Sequence, residues 1–268
     1  MKDLLGIPRR IAAISRNTFI EAARNRAFVG LGIAAMGLVA SSMAVSSLAI
    51  ADQMARVLID FGLFAISLLE VVIAVTMGVI LVYKEVDKKT FYLVLSKPIR
   101  RSEVLAGKFF GLVGVLAIAV LLMTVAWVGS LILRSVPLKP DMPQALVLAW
   151  LQAVLITSVA LFFSSFSSPI LSGVFTMGVY LAGSSVPVLN DLLSLKKGAL
   201  ASSEAARFVA QTATAVLPDL SIFNVGKELI LGIPISWGYV GAAGAYCLGW
   251  CLLFFGLASL IFERRDFA

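Results

Sequence analysis

Long apolar runs alternate along this chain with short segments that carry charge, proline or serine, and several of the runs exceed the roughly 20 residues that cross a bilayer as a helix. The pattern predicts membrane helices over 28–50, 57–83, 104–133, 145–163, 170–189 and 238–262. Helices are expected because each satisfies its own backbone polar groups in lipid. Ahead of the first span, residues 1–27 hold an amphipathic segment. From Ile7 to Ala23, the side chains of Ile7, Ile11, Ile14, Thr18, Phe19 and Ala22 fall on one arc; Arg9, Arg10, Arg16, Asn17 and Glu21, with Arg24 just beyond, fall on the other. A helix of this kind is expected to lie in the membrane surface.

The connections differ in character. A short turn around Asp52, Gln53 and Arg56 makes a hairpin of the first two spans, and Pro137, Pro140 and Pro143 mark a loop after the third. The run Ser164-Ser165-Phe166-Ser167-Ser168-Pro169 returns the chain into the fifth span, with Pro169 suited to a first helical turn where its missing N–H costs nothing. Residues 190–237 mix charges with apolar groups and are expected to form an external segment of short amphipathic helices on or dipping into the membrane. The fold class is an all-α membrane protein, a single transmembrane domain over 1–268 without internal repeats.

Composition agrees, with 60% hydrophobic and 14% charged residues and a mean hydropathy of +1.00, outside ordinary globular usage. The net charge of +7 comes from basic residues that flank apolar runs, so it points to membrane lipids and topology and not to nucleic acid. Fifteen of the 22 Lys and Arg fall at the two termini and between residues 84 and 108, so both termini are expected to be cytoplasmic. There is no histidine, which removes imidazole chemistry, and Cys247 and Cys251 are too few for a zinc site and read as small packing residues. No catalytic, metal or cofactor-binding residue is expected.

The charged connection 84–103 is the most informative stretch. Asp87 can cap a short helix running through Leu95, Lys88 and Lys89 open it, Pro98 limits it, and Ser102 can cap the third span. Phe91, Tyr92, Leu93 and Leu95 cannot all face lipid. They fit either a partner's groove or an interfacial turn on anionic headgroups. Glu70, near the middle of the second span, is expensive there and is protonated, paired or facing a polar cavity, with a pathway role and a hydrogen bond to a nearby Ser or Thr both open. Asp60 sits nearer a boundary and is expected to be wet. Gly238, Gly241, Ala245 and Gly249 give the last span a small-residue side, expected to pack within the chain.

Glu85, Thr90, the run Leu95-Ser96-Lys97-Pro98-Ile99-Arg100-Arg101-Ser102-Glu103 and Gly107-Lys108 resemble the cytoplasmic loop of type-2 ATP-binding-cassette (ABC) permeases, especially the single-domain group associated with copper-enzyme maturation and gliding motility. Phe19-Ile20-Glu21-Ala22, Arg24-Asn25-Arg26 and Phe28 are similar to that family's entry helix, 164–169 to its turn between spans four and five, and 262–266 to its ending. The resemblance implies a six-span subunit in a bacterial plasma (inner) membrane that dimerises with a second permease copy or a homologous permease. Residues 1–27 would be an elbow helix. A coupling helix within 84–103 would sit on a separate ABC ATPase, in two copies, through Glu85, Asp87, Lys88, Lys89, Thr90, Phe91, Tyr92, Leu95, Pro98 and Arg101. ATP and Mg would bind that ATPase; this sequence has no G-x-x-x-x-G-K-[ST] loop, since Phe109 follows Gly107-Lys108 and Glu228 follows Gly226-Lys227. Export is expected by analogy. An ion-coupled secondary transporter, for which internal repeats and several buried acids are usual, and a non-transporting assembly factor are the alternatives.

Overall fold

The computed structural model describes residues 7–50, 53–87, 101–194, 208, 211, 212, 214 and 216–264, with side chains for all of these except 81–87, 101, 194 and 262–264. In chain order the helices are α1 (Ile7–Ala23), α2 (Arg26–Ser47), α3 (Met54–Asp87), α4 (Arg101–Leu133), α5 (Met142–Ser164), α6 (Pro169–Ser184), α7 (Val186–Ser194), α8 (Gly226–Leu231) and α9 (Trp237–Arg264), with no strand among the described residues. Helices α2, α3, α4, α5 and α9 are each long and apolar enough to cross a membrane, and α6 with α7 qualifies as a pair bent by 49°.

The break in the fifth apolar run, expected as one span over 170–189, has a local cause. Pro187 has no N–H to donate to the carbonyl of Gly183 four residues back. That carbonyl instead accepts from the backbone N–H of Leu220 at 3.2 Å. Gly183 permits the approach, because a Cβ there would fall 2.6 Å from the Pro218 carbonyl oxygen. The segment that follows is tied down from two sides. Tyr246 of α9 accepts from the Asp219 amide at 2.7 Å, and Tyr239 donates to the Ile222 carbonyl at 2.6 Å. Lys139, between α4 and α5, donates to the carbonyls of Leu229 and Ile230 at the end of α8.

Helix α5 is the core element, buried on almost every side between α3 and α9. Helix α3 packs against α2, α4, α5 and α6, and close backbone approach sets its fit. A Cβ at Gly62 would fall 2.1 Å from Nε1 of the fully buried Trp127, whose N–H donates to the Leu58 carbonyl at 3.3 Å. A Cβ at Gly78 would fall 2.8 Å from that of Ala160 on α5.

Helix α1 runs parallel to the start of α4 along a furrow of three glycines. Added Cβ atoms would meet the Ile14 Cβ at 2.6 Å from Gly107, the Ser15 carbonyl oxygen at 2.7 Å from Gly111, and the Phe19 ring at 3.3 Å from Gly114. The apolar arc of α1, expected against lipid headgroups, thus lies against protein at Ile14, Thr18 and Phe19. Asn25 then starts α2 as its N-cap, accepting from the Ala27 amide at 3.0 Å.

In α9 the side facing the core is Val240, Ala243, Cys247, Cys251 and Ala258. The two thiols lie 3.9 Å apart, and Cys247 donates to the Leu151 carbonyl of α5 at 3.4 Å. Gly238, Gly241, Ala245 and Gly249, expected to make internal contacts, are exposed on the opposite side. The reason is size: the small side chains of Ala243 and Cys247 already allow α9 to approach α5, so the glycine side is not needed for it.

Candidate functional site

Three places in the fold carry polar chemistry that packing alone does not require. The first is the end of the bundle formed by α1, the end of α3 and the start of α4. Helix α3 continues to Asp87, so Glu85 and Asp87 belong to its last turns and not to a connecting loop. Helix α4 begins at Arg101, which places Ser102 inside its first turn and not at the N-cap. Lys88, Lys89, Thr90, Phe91, Tyr92, Leu95 and Pro98, and with them the short helix expected there, lie outside the described residues. In the first turn of α4, Glu103 is buried and faces Arg10 of α1 at 3.8 Å. Lys108, one turn further along α4, is also buried. Long charged side chains are rarely buried without partners, and here the Arg10–Glu103 pair joins α1 to the helix that follows the 88–100 connection.

The second place is Glu70, fully buried on α3. Neither carboxyl oxygen has a hydrogen-bond partner among the described residues, so no Ser or Thr reaches it. The Val120 amide of α4 is close by but lies within a helix and is committed to its own i−4 carbonyl. A buried acid without partners is costly.

The third is a cavity of about 350 Å³ at the opposite end of the bundle from α1. Asp60, Phe64 and Ser67 of α3, Gln152 of α5, Tyr180 of α6 and Asn224 line it among others. Gln152 is only 4% exposed and has no hydrogen-bond partner among the described residues. The break after α6 builds one wall, since the segment that docks on Gly183 carries Leu220, Ser221 and Asn224 into the lining. Of these residues only Asp60 was singled out from sequence, as a wet boundary acid. The available signal was Gln152, an amide in the middle of an apolar run, where polar groups tend to face the protein interior or a water-filled space.

The model of the family described as ABC-2 family transporter protein matches residues 13–267, from within α1 to beyond the last helix. The chain belongs to the ABC-2 transporter family. No curated protein matches it. As an ABC-2 chain it is a multi-pass membrane component of an ABC transporter, and membership implies an ABC ATPase as its partner. The charged end around α1, Glu103 and the 88–100 connection, and the polar cavity at the other end, are therefore two separate features of one transporter component.

Proposed function

We propose that this ABC-2 chain is the permease subunit of an ATP-driven exporter in a bacterial plasma membrane. Two copies of it, or it and a homologous permease, pair with two copies of a separate ABC ATPase that binds ATP and Mg. Both termini and the 84–103 connection are cytoplasmic, with residues 88–95 seated on the ATPase and Glu85, Asp87 and Arg101 at the borders of that contact. The observation that carries this reading is the family match over nearly the whole chain, supported by the build of the α1 end. There the helices on either side of the connection are long and continuous, and α1 is packed onto α4 by glycines. A push delivered at 88–100 would reach α4 directly and carry α1 with it.

Affinity purification of the full chain from its native membrane is expected to retain an ABC ATPase. The triple variant Lys88→Glu, Lys89→Glu, Arg101→Glu is expected to lose it by roughly tenfold or more, since truncating or reversing interfacial charges costs about 2–5 kcal/mol. An unmodified chain that retains no ATPase, or a reversed one that retains it fully, would overturn the proposal.

Glu70 favours a second reading, an ion-coupled transporter, because a fully buried acid without a partner among the described residues suits a proton carrier. Vesicles holding the chain alone would then take up protons down a gradient, and Glu70→Gln would stop them. The absence of flux would leave Glu70 to the packing of α3 on α4.

A further inference from the structure

We infer that the cavity between α3, α5 and α6 is a binding site for a small amphipathic amine, with the ammonium group at Asp60 and a hydrogen-bonding group at Gln152 and Ser67. The cavity holds about 350 Å³ and is lined by one carboxylate, Asp60, with no Lys or Arg among its described lining residues. Asp60 makes no ion pair and no hydrogen bond among the described residues. An anion would face that carboxylate without compensation, whereas an ammonium ion gains a charge-assisted hydrogen bond.

Further along α3, one turn from Asp60 and one from Ser67, Phe64 supplies an exposed ring, and the half-buried Tyr180 supplies a second ring from α6. Aromatic faces favour cations and planar apolar groups. At the floor, the Gln152 amide is nearly enclosed yet unpartnered. A purely apolar occupant would leave that amide unsatisfied, which disfavours it. Asp60 and Ser67 are seven residues apart on one helix, about 10 Å at 1.5 Å per residue. The occupant is therefore charged at one end, apolar in the middle and polar at the other, over roughly that length.

The test uses the full-length chain in phosphatidylglycerol nanodiscs without its ATPase, so its outcome is separate from that of the ATPase proposal. Tyramine, its uncharged analogue tyrosol, the anion 4-hydroxyphenylacetate and phenethylamine, which lacks the phenol, are titrated by calorimetry. Tyramine is expected to bind at least roughly tenfold more tightly than tyrosol, as befits one charge-assisted hydrogen bond, and 4-hydroxyphenylacetate not at all. Asp60→Asn, at an exposed position, is expected to bring tyramine and tyrosol to equal affinity, while Asp141→Asn, outside the cavity, changes neither. Gln152→Leu, checked for an unchanged melting temperature, is expected to weaken tyramine and leave phenethylamine as it was. Repeating the titration with phosphatidylethanolamine in the discs identifies the natural source. Competition points to a lipid ammonium headgroup, and no change points to a free amine. Equal binding of all four probes, or a preference for tyramine that survives Asp60→Asn, would overturn the inference.

Discussion

Replacing Gly111 with leucine is expected to lift α1 off α4. The first atom of any side chain at this position already falls 2.7 Å from the carbonyl oxygen of Ser15 and 2.7 Å from the Cβ of Thr18. Neither is the tip of a flexible group, so no rotamer change can absorb the clash and α1 itself must move. Overpacking of this kind typically costs about 1–3 kcal/mol. Thr18 and Ala22 are the buried side chains of α1, and Thr18 lies directly against this position. Hydrogen exchange of the α1 amides should accelerate by roughly ten- to a hundredfold, while α5 keeps its protection. Gly111→Ala should give the same change in smaller measure. Unchanged exchange in α1 of the leucine variant would show that the glycine furrow does not hold the two helices together.

The second large effect is expected at Gly62. A methyl group there would overlap the indole of Trp127, 2.1 Å from Nε1 and 2.2 Å from Cδ1. Trp127 has no exposed surface into which to retreat. Either the ring leaves its pocket and loses the bond to the Leu58 carbonyl, or α3 and α4 separate. Gly62→Ala should cost about 1–3 kcal/mol, and Gly62→Val more, read as a fall in melting temperature of roughly 3–10 °C in detergent. Trp127→Leu in the Gly62→Ala background should recover part of the loss, because it removes the clashing ring. Non-additivity of that pair is the decisive measurement, since residues in contact couple and distant ones do not.

Apolar runs locate the membrane-crossing helices because nothing else is that long and that free of charge, and Pro169 sits in the first turn of α6 as its chemistry requires. What covers an apolar face is harder to read. The arc Ile14, Thr18, Phe19 suits lipid or a neighbouring helix equally, and the choice is made by Gly107, Gly111 and Gly114 far along the chain. The same holds in α9, where a glycine side and a side of alanine and cysteine both allow close approach and only the partner decides between them. Pro187 did carry a legible warning of the break after α6, but apolar residues on both sides of it continue the run to Leu189. The cavity was the least legible feature, because its lining comes from α3, α5, α6 and the segment after Pro218, and each contributes one or two ordinary polar residues. Glu70 was legible as costly, while its lack of a hydrogen-bond partner among the described residues is a property of its neighbours.

The docking of α1 also orders how the chain is assembled. Its seat on α4 is made only after two intervening spans, so a nascent chain emerging from the ribosome holds the arc of Ile14, Thr18 and Phe19 uncovered until Gly107 to Gly114 have been synthesised and inserted. During that interval the headgroup region is the available shelter for those side chains. Fragments that stop short of α4 keep this sticky face permanently, and such truncations are the ones that quality-control proteases and insertion chaperones should seize first.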